Sequence, residues 1–380
     1  METKKYRFDE VTINFDKKRI PLSSAQREKR QGTFRYYGAQ GVIDHVDDYI
    51  FDGTYLLIAE DGENLKSKKQ NIAQVVDGQF WVNNHAHIVQ GNEQCDTRFL
   101  CYLINSMDLS GYVTGSAQPK LSQANLNAVT LSLPTLAEQK RIVEYLYMLD
   151  QKIDVNRQIN DNLEQQAQSC FQELFVDNAD PEWATGTISD LGTVVGGSTP
   201  SKAKPEYYTE SGIAWITPKD LSINKSKFIS HGENDITELG LKNSSAAIMP
   251  EGTVLFSSRA PIGYIAIAAG EVTTNQGFKS VAPKPEIGTP FVYFFLKNTL
   301  PVIEGMASGS TFKEVSGSTM KNVPAVIPDA ETLAKFSNFC APIFAQQRIL
   351  EEQNQSLAAL RDNLLPRLMS GEIDVSAVQL

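Results

Sequence analysis

The sequence lacks the glycine patterns that mark the common nucleotide-binding loops. None of its 25 glycines is spaced as Gly-x-Gly, and no G-x-x-x-x-G-K-[ST] segment is present. These absences exclude the dinucleotide and S-adenosylmethionine loops that use the first spacing and the phosphate loop that uses the second. No Pro-Pro pair occurs either, so the Asn-Pro-Pro-aromatic site of amino-methyltransferases is missing.

Cysteines and long apolar runs are also scarce. The four cysteines, Cys95, Cys101, Cys170 and Cys340, follow no disulfide-framework spacing, which favours reduced thiols in a cytoplasm. No apolar run approaches the roughly 20 residues that span a bilayer. The first residues, METKKYRFDE, lack the apolar stretch of a signal peptide. We therefore expect a cytoplasmic protein without a membrane partner.

What the sequence does contain is a long internal repeat. Residues 115–142 realign on residues 309–336 at a constant shift of 194 without a gap. Fainter matches upstream join 99–106 to 291–298 and 82–89 to 273–281. A repeat of this length indicates a duplicated domain. The predicted plan has four parts: module 1 (residues 1–134), a first helix (135–177), module 2 (178–328) and a second helix (329–380).

The net charge of −10 resides mainly in the two helices. Residues 1–136 hold 15 Lys and Arg against 16 Asp and Glu, and residues 181–328 hold 12 against 13. Because phosphate binding needs a local basic face rather than a basic protein, near-neutral modules leave a nucleic-acid partner open. The alternative is that the basic clusters of the modules are solvated loops.

Both predicted helices carry a coiled-coil stripe. The first opens at a capping box, Thr135-Leu-Ala-Glu138, and the second is capped near Asp329 and ends at Gly371. Seam residues alternate at steps of three and four, which gives a period of 3.5. The first seam is Ile142, Leu146, Leu149, Ile153, Asn156, Asn160, Leu163, Ala167, Cys170 and Leu174. The second is Leu333, Phe336, Cys340, Ile343, Gln347, Leu350, Asn354, Leu357, Arg361, Leu364 and Leu368.

We predict that the two helices pair in antiparallel fashion as a rod that holds the modules apart. Pro342 lies inside the second stripe and is expected to kink the helix or to delay its regular start. The polar seam residues either fix the register by demanding partners or mark where the stripe turns to solvent. They are Asn156, Asn160, Gln347, Asn354 and Arg361.

Each module is predicted to be mixed α/β with short strands, so the fold class is α+β with an internal pseudo-twofold repeat. The segments with strand composition are 54–61, 72–76 and 80–89 in module 1 and 252–258 and 263–269 in module 2. Residues 99–106 and 291–298 are typical of short buried helices. A linker between the halves is expected near 176–182.

A zinc site is the one metal hypothesis that the sequence offers. His85 and His87 share a strand face, and Cys95 and Cys101 follow nearby. The spacing matches no strong zinc pattern, and the second copy does not repeat the histidines. We therefore predict no metal.

Several segments together resemble the specificity subunit of type I restriction–modification systems. They are LSLPTLAEQKRIVEYLYMLDQKID, the second-copy GSTFKEVS followed by VIPDAETL, and the closing LLPRLMSGEIDV. The resemblance covers essentially the whole chain. Its LP-x-L-x-EQ-x-x-I and LLP-x-L-x-SGEI elements are specific when they occur with an internal duplication.

The resemblance implies a DNA-reading subunit that has no catalytic activity and binds no cofactor itself. Two target-recognition domains would each read half of a bipartite, asymmetric double-stranded DNA site, while the helices set the gap and dock two modification (methyltransferase) subunits. Restriction subunits, which are ATP-dependent endonucleases, would join in the full complex, and S-adenosylmethionine is expected on the methyltransferases. Glu331-Thr-Leu-Ala stands where the first copy has Ala137-Glu-Gln-Lys, so the two docking surfaces are expected to differ.

Candidate DNA contacts follow from side-chain chemistry, because Arg, Lys, Asn and Gln read base edges while Lys, Arg, Ser and Thr contact phosphates. In module 1 they are Lys17, Arg19, Arg35, Lys66, Lys68 and Lys69, with Tyr36, Tyr37 and Gln40 as edge or stacking contacts. In module 2 they are Lys219, Lys225, Lys227, Arg259 and Lys279. Two matching turns, Gly115 through Ser122 and Gly309 through Ser316, end in a serine that either caps a short helix or faces DNA or a partner.

Two rival functions stay open at this point. The first is an enzyme, a nuclease or methyltransferase with diverged motifs. Methyl transfer by the chain alone would support this function. The second is a purely structural coiled-coil adaptor whose modules bind proteins. Salt-dependent DNA binding separates the adaptor from a DNA reader, because phosphate contacts weaken steeply as salt rises.

Overall fold

The computed structural model describes residues 2–67, 70–115, 118–309 and 313–373. They form two compact units. The first contains the residues up to Lys152 together with those from Ser356 onward, and the second contains Ile153–Gln355. Both long helices are divided between the units, so each module shares a unit with one segment of each helix.

Module 1 consists of short strands and short helices. Its strands β1 to β10 are Lys4–Arg7, Thr12–Asn14, Gln31–Gly38, Gly41–Val46, Phe51–Asp52, Tyr55–Ala59, Ala73–Val76, Gln79–Val82, Ala86–Gly91 and Thr130–Leu133. Its helices α1 to α5 are Phe8–Val11, Ser24–Glu28, Asn64–Ser67, Thr97–Ser106 and Gln123–Asn127, and the long helix α6 is Leu136–Gln172. β1 pairs with β10, and two four-stranded sheets have the orders β2-β9-β6-β7 and β4-β3-β8-β5.

Module 2 is built in the same way. Its strands β11 to β21 are Ala184–Thr187, Gly192–Gly196, Tyr208–Thr209, Ile213–Ile216, Phe228–Ile229, Asn234–Ile236, Val254–Ser258, Ile262–Ala268, Thr273–Thr274, Lys279–Pro283 and Pro324–Ile327. Its helices α7 to α11 are Ile188–Leu191, Pro218–Ile223, Glu238–Lys242, Thr289–Met306 and Gly317–Lys321, and the long helix α12 is Ala330–Met369. β11 pairs with β21, and the sheets have the orders β12-β20-β17-β18-β15 and β13-β16-β14-β19.

The two modules share one topology. A short antiparallel ladder, β1 with β10 or β11 with β21, joins the first strand of each module to its last. β3 lies parallel to β8, as β14 lies parallel to β19. α5, β10 and the start of α6 correspond to α11, β21 and the start of α12 at the same shift of 194 residues. The predicted duplicated α+β fold is confirmed.

One connection differs between the modules. β3 and β4 are joined by Ala39–Gln40, whereas β14 and β16, which pair in the corresponding way, are separated by residues 217–233. This segment, which we call the insertion, carries α8 and β15. β15 lies parallel to β18 and adds a fifth strand to a sheet that has four strands in the described part of module 1.

The long helices begin where the sequence predicts. The Thr135 backbone N–H donates to Glu138 Oε2 at 2.9 Å, and the Thr332 N–H donates to Asp329 Oδ1 at 2.9 Å. The expectation that Pro342 delays α12 is wrong, because the helix already begins at Ala330 and continues past the proline. Pro342 is exposed, so water can bind the carbonyl that the missing N–H leaves free. No helix in the described ranges is long and apolar enough to cross a membrane.

Within each unit the segments of α6 and α12 run antiparallel, and polar seam residues pair across them. In the second unit Asn156 Nδ2 donates to Asn354 Oδ1 at 2.9 Å. In the first unit Arg361 Nη1 donates to Asp150 Oδ1 at 2.6 Å. These polar seam residues therefore meet partners rather than solvent. A shift in register would separate them, which makes the pairing specific.

Each unit also buries its helix segments against its own module. Phe171 of α6 and Phe336 of α12 pack with Phe291 and Phe294 of α10 in the second unit. Leu146 of α6 joins the core around α4 in the first unit. Each of these buried side chains stabilises the fold by roughly 1.5–3 kcal/mol, so each module is fixed to a helix segment by apolar packing.

Candidate nucleic-acid interface

One corner of each module gathers charged side chains, and strand register makes the two corners equivalent. The pairing of Ala59 with Ala86 across β6 and β9 corresponds to the bridge between Ser257 and Phe278 at β17 and β20. The residues that follow on each strand therefore also correspond. We define the module 1 corner as Asp16, Arg19, Glu60, Asp61, His87 and Lys120. The module 2 corner is Ser258, Arg259, Lys279 and Glu314.

The module 1 corner is a network of opposite charges. Asp16 Oδ2 lies 2.7 Å from His87 Nδ1, and Asp16 Oδ1 accepts the Ile88 N–H at 2.8 Å. Arg19 Nη1 donates to Glu60 Oε2 at 2.9 Å. The side chains of Asp16 and His87 are only 5% and 1% exposed, so each charge depends on its partners instead of water.

Both ring nitrogens of His87 face acceptors. Nδ1 faces the Asp16 carboxylate, and Nε2 lies 2.8 Å from the carbonyl oxygen of Leu121. Burial disfavours the imidazolium, but these hydrogen bonds and the charges of Asp16 and Glu60 outweigh it and raise the pKa of His87 above the ordinary 6.5. Burial likewise opposes ionisation of Asp16, yet its bonds to His87 and Ile88 lower its pKa. Two acceptors are best satisfied by two donors, so this geometry favours the doubly protonated imidazolium form of His87.

Lys120 is the exposed cation of this corner, and sequence reasoning missed it. Lys120 Nζ lies 3.2 Å from Glu60 Oε1, with its side chain 55% exposed, and its backbone forms a bridge with Asp61. It lies inside the repeat 115–142, whose second copy has Glu314 at the matching position. That reversal of charge was the signal that could have pointed to it.

Three predicted contacts of module 1, Lys17, Gln40 and Lys66, are exposed. Gln40 Nε2 donates to Asn64 Oδ1 at 3.1 Å, and Lys66 Nζ donates to the carbonyl oxygen of Gly115 at 3.0 Å. Module 1 therefore has exposed cations at Lys17 and Lys66 in addition to Lys120.

The module 2 corner is open and carries two cations. Arg259 Nη1 lies 3.5 Å from Glu314 Oε2, and these side chains are 39% and 40% exposed. Lys279 Nζ donates to the carbonyl oxygens of Gln276 and Phe278, each at 3.3 Å. Burial lowers the pKa of Lys279, Glu314 opposes this, and Arg259 reinforces it. With two cations against one carboxylate, this corner presents net positive charge.

The bridge across the corner has opposite polarity in the two modules. The loop residue is the cation Lys120 in module 1 and the anion Glu314 in module 2, while the strand-end residues are Asp61 and Arg259. The partly exposed ion pairs of the two loop residues, Lys120 with Glu60 and Glu314 with Arg259, contribute only ~0–1 kcal/mol each to stability. Their larger effect is on the distribution of surface charge, because the positive charge lies on the loop in module 1 and at the strand end in module 2.

Three candidate lysines of module 2 belong to the insertion, and two of them, Lys219 and Lys225, are exposed. Lys219 Nζ pairs with a neighbouring glutamate at 2.5 Å and stays 54% exposed. Lys225 is exposed beside a cavity of about 150 Å³ that Asn224 and Tyr264 also line. An exposed lysine beside a polar recess suits contact with a phosphate or a base edge.

Burial corrects three of the predicted contacts. Tyr36, Tyr37 and Lys227 have relative exposures of 0%, 4% and 8%. The Tyr36 hydroxyl accepts the Leu22 N–H at 2.8 Å, and the Lys227 ammonium pairs with Glu164 at 2.8 Å. These side chains hold the fold together and are not available to DNA in this structure.

Four other candidates gain no support from the structure as exposed DNA contacts, for different reasons. Arg19 is committed to the buried network, where its side chain is 16% exposed. Arg35 is exposed, but it donates to the carbonyl oxygen of Asp77 at 2.7 Å, at the end of β7 opposite the corner. Lys68 and Lys69 lie outside the described residues.

The matched serines are helix caps. Ser122 Oγ accepts the Asn125 N–H at 3.3 Å, and Ser316 Oγ accepts the Thr319 N–H at 3.0 Å. This favours the capping role of the two alternatives. Residues 116–117 and 310–312 of these turns lie outside the described residues.

The four residues of the zinc hypothesis are not arranged as ligands. Both nitrogens of His87 are already bound to protein acceptors. Burial raises the pKa of the Cys95 and Cys101 thiols to about 12, so they stay protonated. Within the ranges that the structure covers, no three His, Cys, Asp or Glu side chains are grouped to hold a metal ion.

Two like modules with unlike charged corners, each packed on a pair of antiparallel helix segments, define a protein built from an internal duplication on one chain. The family follows from the sequence itself. Residues 2–165 and 181–361 match the model of the type I restriction modification DNA specificity domain. The chain belongs to this family and carries two copies of its domain.

Known relatives agree with this assignment. The type I restriction enzyme MjaIX specificity subunit of Methanocaldococcus jannaschii is 41% identical over 169 residues, which span 44% of this chain and 39% of that protein. The HindI specificity subunit of Haemophilus influenzae is 24% identical across 85% of this chain and 84% of its own length. The crystal structure of a type I S subunit from M. genitalium has the same fold, with a TM-score of 0.57, 16% identity and coverage of 97% and 96%.

Proposed function

We propose that the chain is the DNA-reading subunit of a type I restriction–modification complex and that each module reads one half of an asymmetric double-stranded site. The observation that carries this proposal is the reversed polarity of the matched corners, Asp61 with Lys120 against Arg259 with Glu314. Identical readers related by a twofold axis are restricted to palindromes. Unlike corners on one chain can read two different half-sites.

We further propose that α6 and α12 set the separation of the half-sites and dock two methyltransferase subunits, with restriction subunits in the full complex. The cross-helix polar pairs support a fixed register. Val155 and Ile159 of α6 are 47% and 41% exposed on one helix face, which suits a protein partner. In this proposal the chain is not catalytic and binds no cofactor, and S-adenosylmethionine is held by the methyltransferases.

Methylated-base mapping tests the proposal in cells that carry this chain with its own methyltransferase subunits. The expected result is one bipartite motif with a spacer of fixed length. A double change, Arg259→Ala with Lys279→Ala, should relax sequence preference in one half of that motif and leave the other half intact. A palindromic motif, no motif, or methyl transfer from labelled S-adenosylmethionine by the purified chain alone would overturn the proposal.

A further inference from the structure

The insertion of module 2 sends one side chain into the helix pair of its own unit. Lys227 precedes β15, and its Nζ lies 2.8 Å from Glu164 Oε2 on α6 and 2.9 Å from Gln347 Oε1 on α12. The ammonium also lies 3.4 Å from the ring centroid of Phe344 on α12. One lysine of the module is therefore bound to both helices at once.

The backbone of the same segment is held as firmly. Glu351 on α12 accepts the N–H of Lys227 at 2.7 Å through one carboxylate oxygen and the N–H of Phe228 at 3.0 Å through the other. On the next turn of α12, Arg348 Nη2 donates to the carbonyl oxygen of Ala269, which follows β18. The inserted strand and its neighbour are thus fixed to α12 by directional bonds.

The contact places the charges of Lys227 and Glu164 away from water, so it is unfavourable unless the two groups stay paired. Lys297 on α10 pairs with the second oxygen of Glu164 at 2.5 Å. Burial opposes ionisation of Glu164, but Lys227 and Lys297 outweigh it and lower its pKa to about 2, while burial lowers the pKa of Lys227 to about 8. Buried ion pairs add little net stability compared with apolar packing, but each partner needs the other in place. Such a contact selects one orientation more than it strengthens the fold.

Module 1 is attached to its helix segments differently. Its β3 and β4 are joined by Ala39–Gln40, where module 2 has the insertion. In that unit Tyr102 Oη of α4 donates to Asp150 Oδ2 at 2.5 Å, and Arg361 binds the other oxygen of Asp150. In module 1 this contact comes from α4, the helix that packs under the sheet. In module 2 the corresponding helix α10 also reaches α6, through Lys297 and Glu164, and the added strand makes a further contact that module 1 lacks.

We infer that the insertion is a brace that fixes the orientation of module 2 on the helix pair, and that Lys227 is a positioning residue for recognition at a set half-site separation. The inference rests on the proposed function. Lys225, two residues away and exposed, belongs to the same segment, so the brace also fixes where that candidate DNA contact lies. Removing the brace should leave both half-sites readable while weakening the preference for one spacing between them.

The test uses the assembled complex with its methyltransferase subunits and DNA duplexes that carry the mapped half-sites. Methyl transfer is measured at the native spacing and with one base pair added or removed. Lys227→Met replaces the lysine with an unbranched side chain that carries no charge. Glu164 still has Lys297 as an ion-pair partner in this variant. We expect the preference for native spacing to fall roughly tenfold, within the usual range of coupling between sites. Lys242→Met, which changes an exposed lysine of the same module, should leave the preference at the wild-type value.

A second variant keeps the test decisive if Lys227→Met fails to fold. Glu351→Gln places an amide NH2 against a backbone N–H that the carboxylate now accepts, and the same loss of spacing preference is expected. If wild-type complex discriminates between spacings and the folded variants discriminate equally well, the brace is wrong. If wild-type complex shows no site-specific methylation, the proposed function fails instead.

Discussion

Modules 1 and 2 place different chemistry at the same position of one fold. In module 1, Asp16 and His87 form a buried pair that is shielded from solvent. In module 2 the positions of His87 and Asp61 are held by Lys279 and Arg259, which are partly exposed cations. The strand pairing around both corners is unchanged, so the shared framework does not depend on the charges it carries. The corners are free to differ, which is what two unlike readers require.

We predict that the largest difference between the two corners is in their contribution to the free energy of unfolding. Asp16→Asn should lower the free energy of unfolding of the chain by about 3–5 kcal/mol, because it leaves the buried imidazole of His87 without its carboxylate partner. Chemical denaturation of the purified chain measures the loss.

The comparison change in module 2 is Glu314→Gln, which removes the carboxylate that pairs with Arg259 at the exposed corner. It should cost at most about 1 kcal/mol, because water replaces the lost partner. Equal losses in the two variants would contradict the contrast between a closed and an open corner.

The corners should also differ in DNA binding. Arg259→Ala in the assembled complex should weaken binding by about 1–3 kcal/mol if the guanidinium contacts a base, which is roughly 5- to 150-fold in Kd. If it contacts a phosphate, the slope of affinity against salt should fall by about one. Gel-shift titrations at several salt concentrations measure both, with Lys242→Ala as the control. Unchanged affinity and selectivity would remove Arg259 from the interface.

Module 1 should respond to pH through His87. Because the folded-state pKa of His87 is raised above 6.5, its contribution to stability is present below that pH and is lost as pH rises through the folded value. The free energy of unfolding should then fall by up to about 1.4 kcal/mol per pH unit in that window. His87→Gln should flatten this slope. A wild-type profile that is already flat there would show that the ring is not a buried cation.

Long-range periodicity and caps were readable from the sequence. The Thr135–Glu138 box and the Asp329 cap begin the long helices, and Asn156 meets Asn354 in the predicted seam. These features depend on residues close in sequence or on a regular repeat, so local rules suffice. The 194-residue shift likewise predicted the duplicated fold.

The candidate site was less predictable because a basic residue gives no sign of its burial. Lys225 and Lys227 are the same residue type two positions apart, yet Lys225 is exposed and Lys227 is buried against α6 and α12. Their difference comes from β15, a two-residue strand too short to show periodicity. The burial of Tyr36 is also hidden in the sequence, because exposed Arg35 precedes it but buried Tyr37 follows it. Tyr36 is buried by packing against Val46 and Trp81, which are distant in sequence.

The reversed corner bridge has a consequence for how the gene itself can change. If gene conversion replaced residues 308–314 with a copy of residues 114–120, a lysine would stand opposite Arg259. The opposite copy would set the charge of Glu314 beside Glu60 and Asp61. Like charges placed across a bridge are destabilising. Making the two halves identical at this loop would therefore cost some stability at the corner that received the copy.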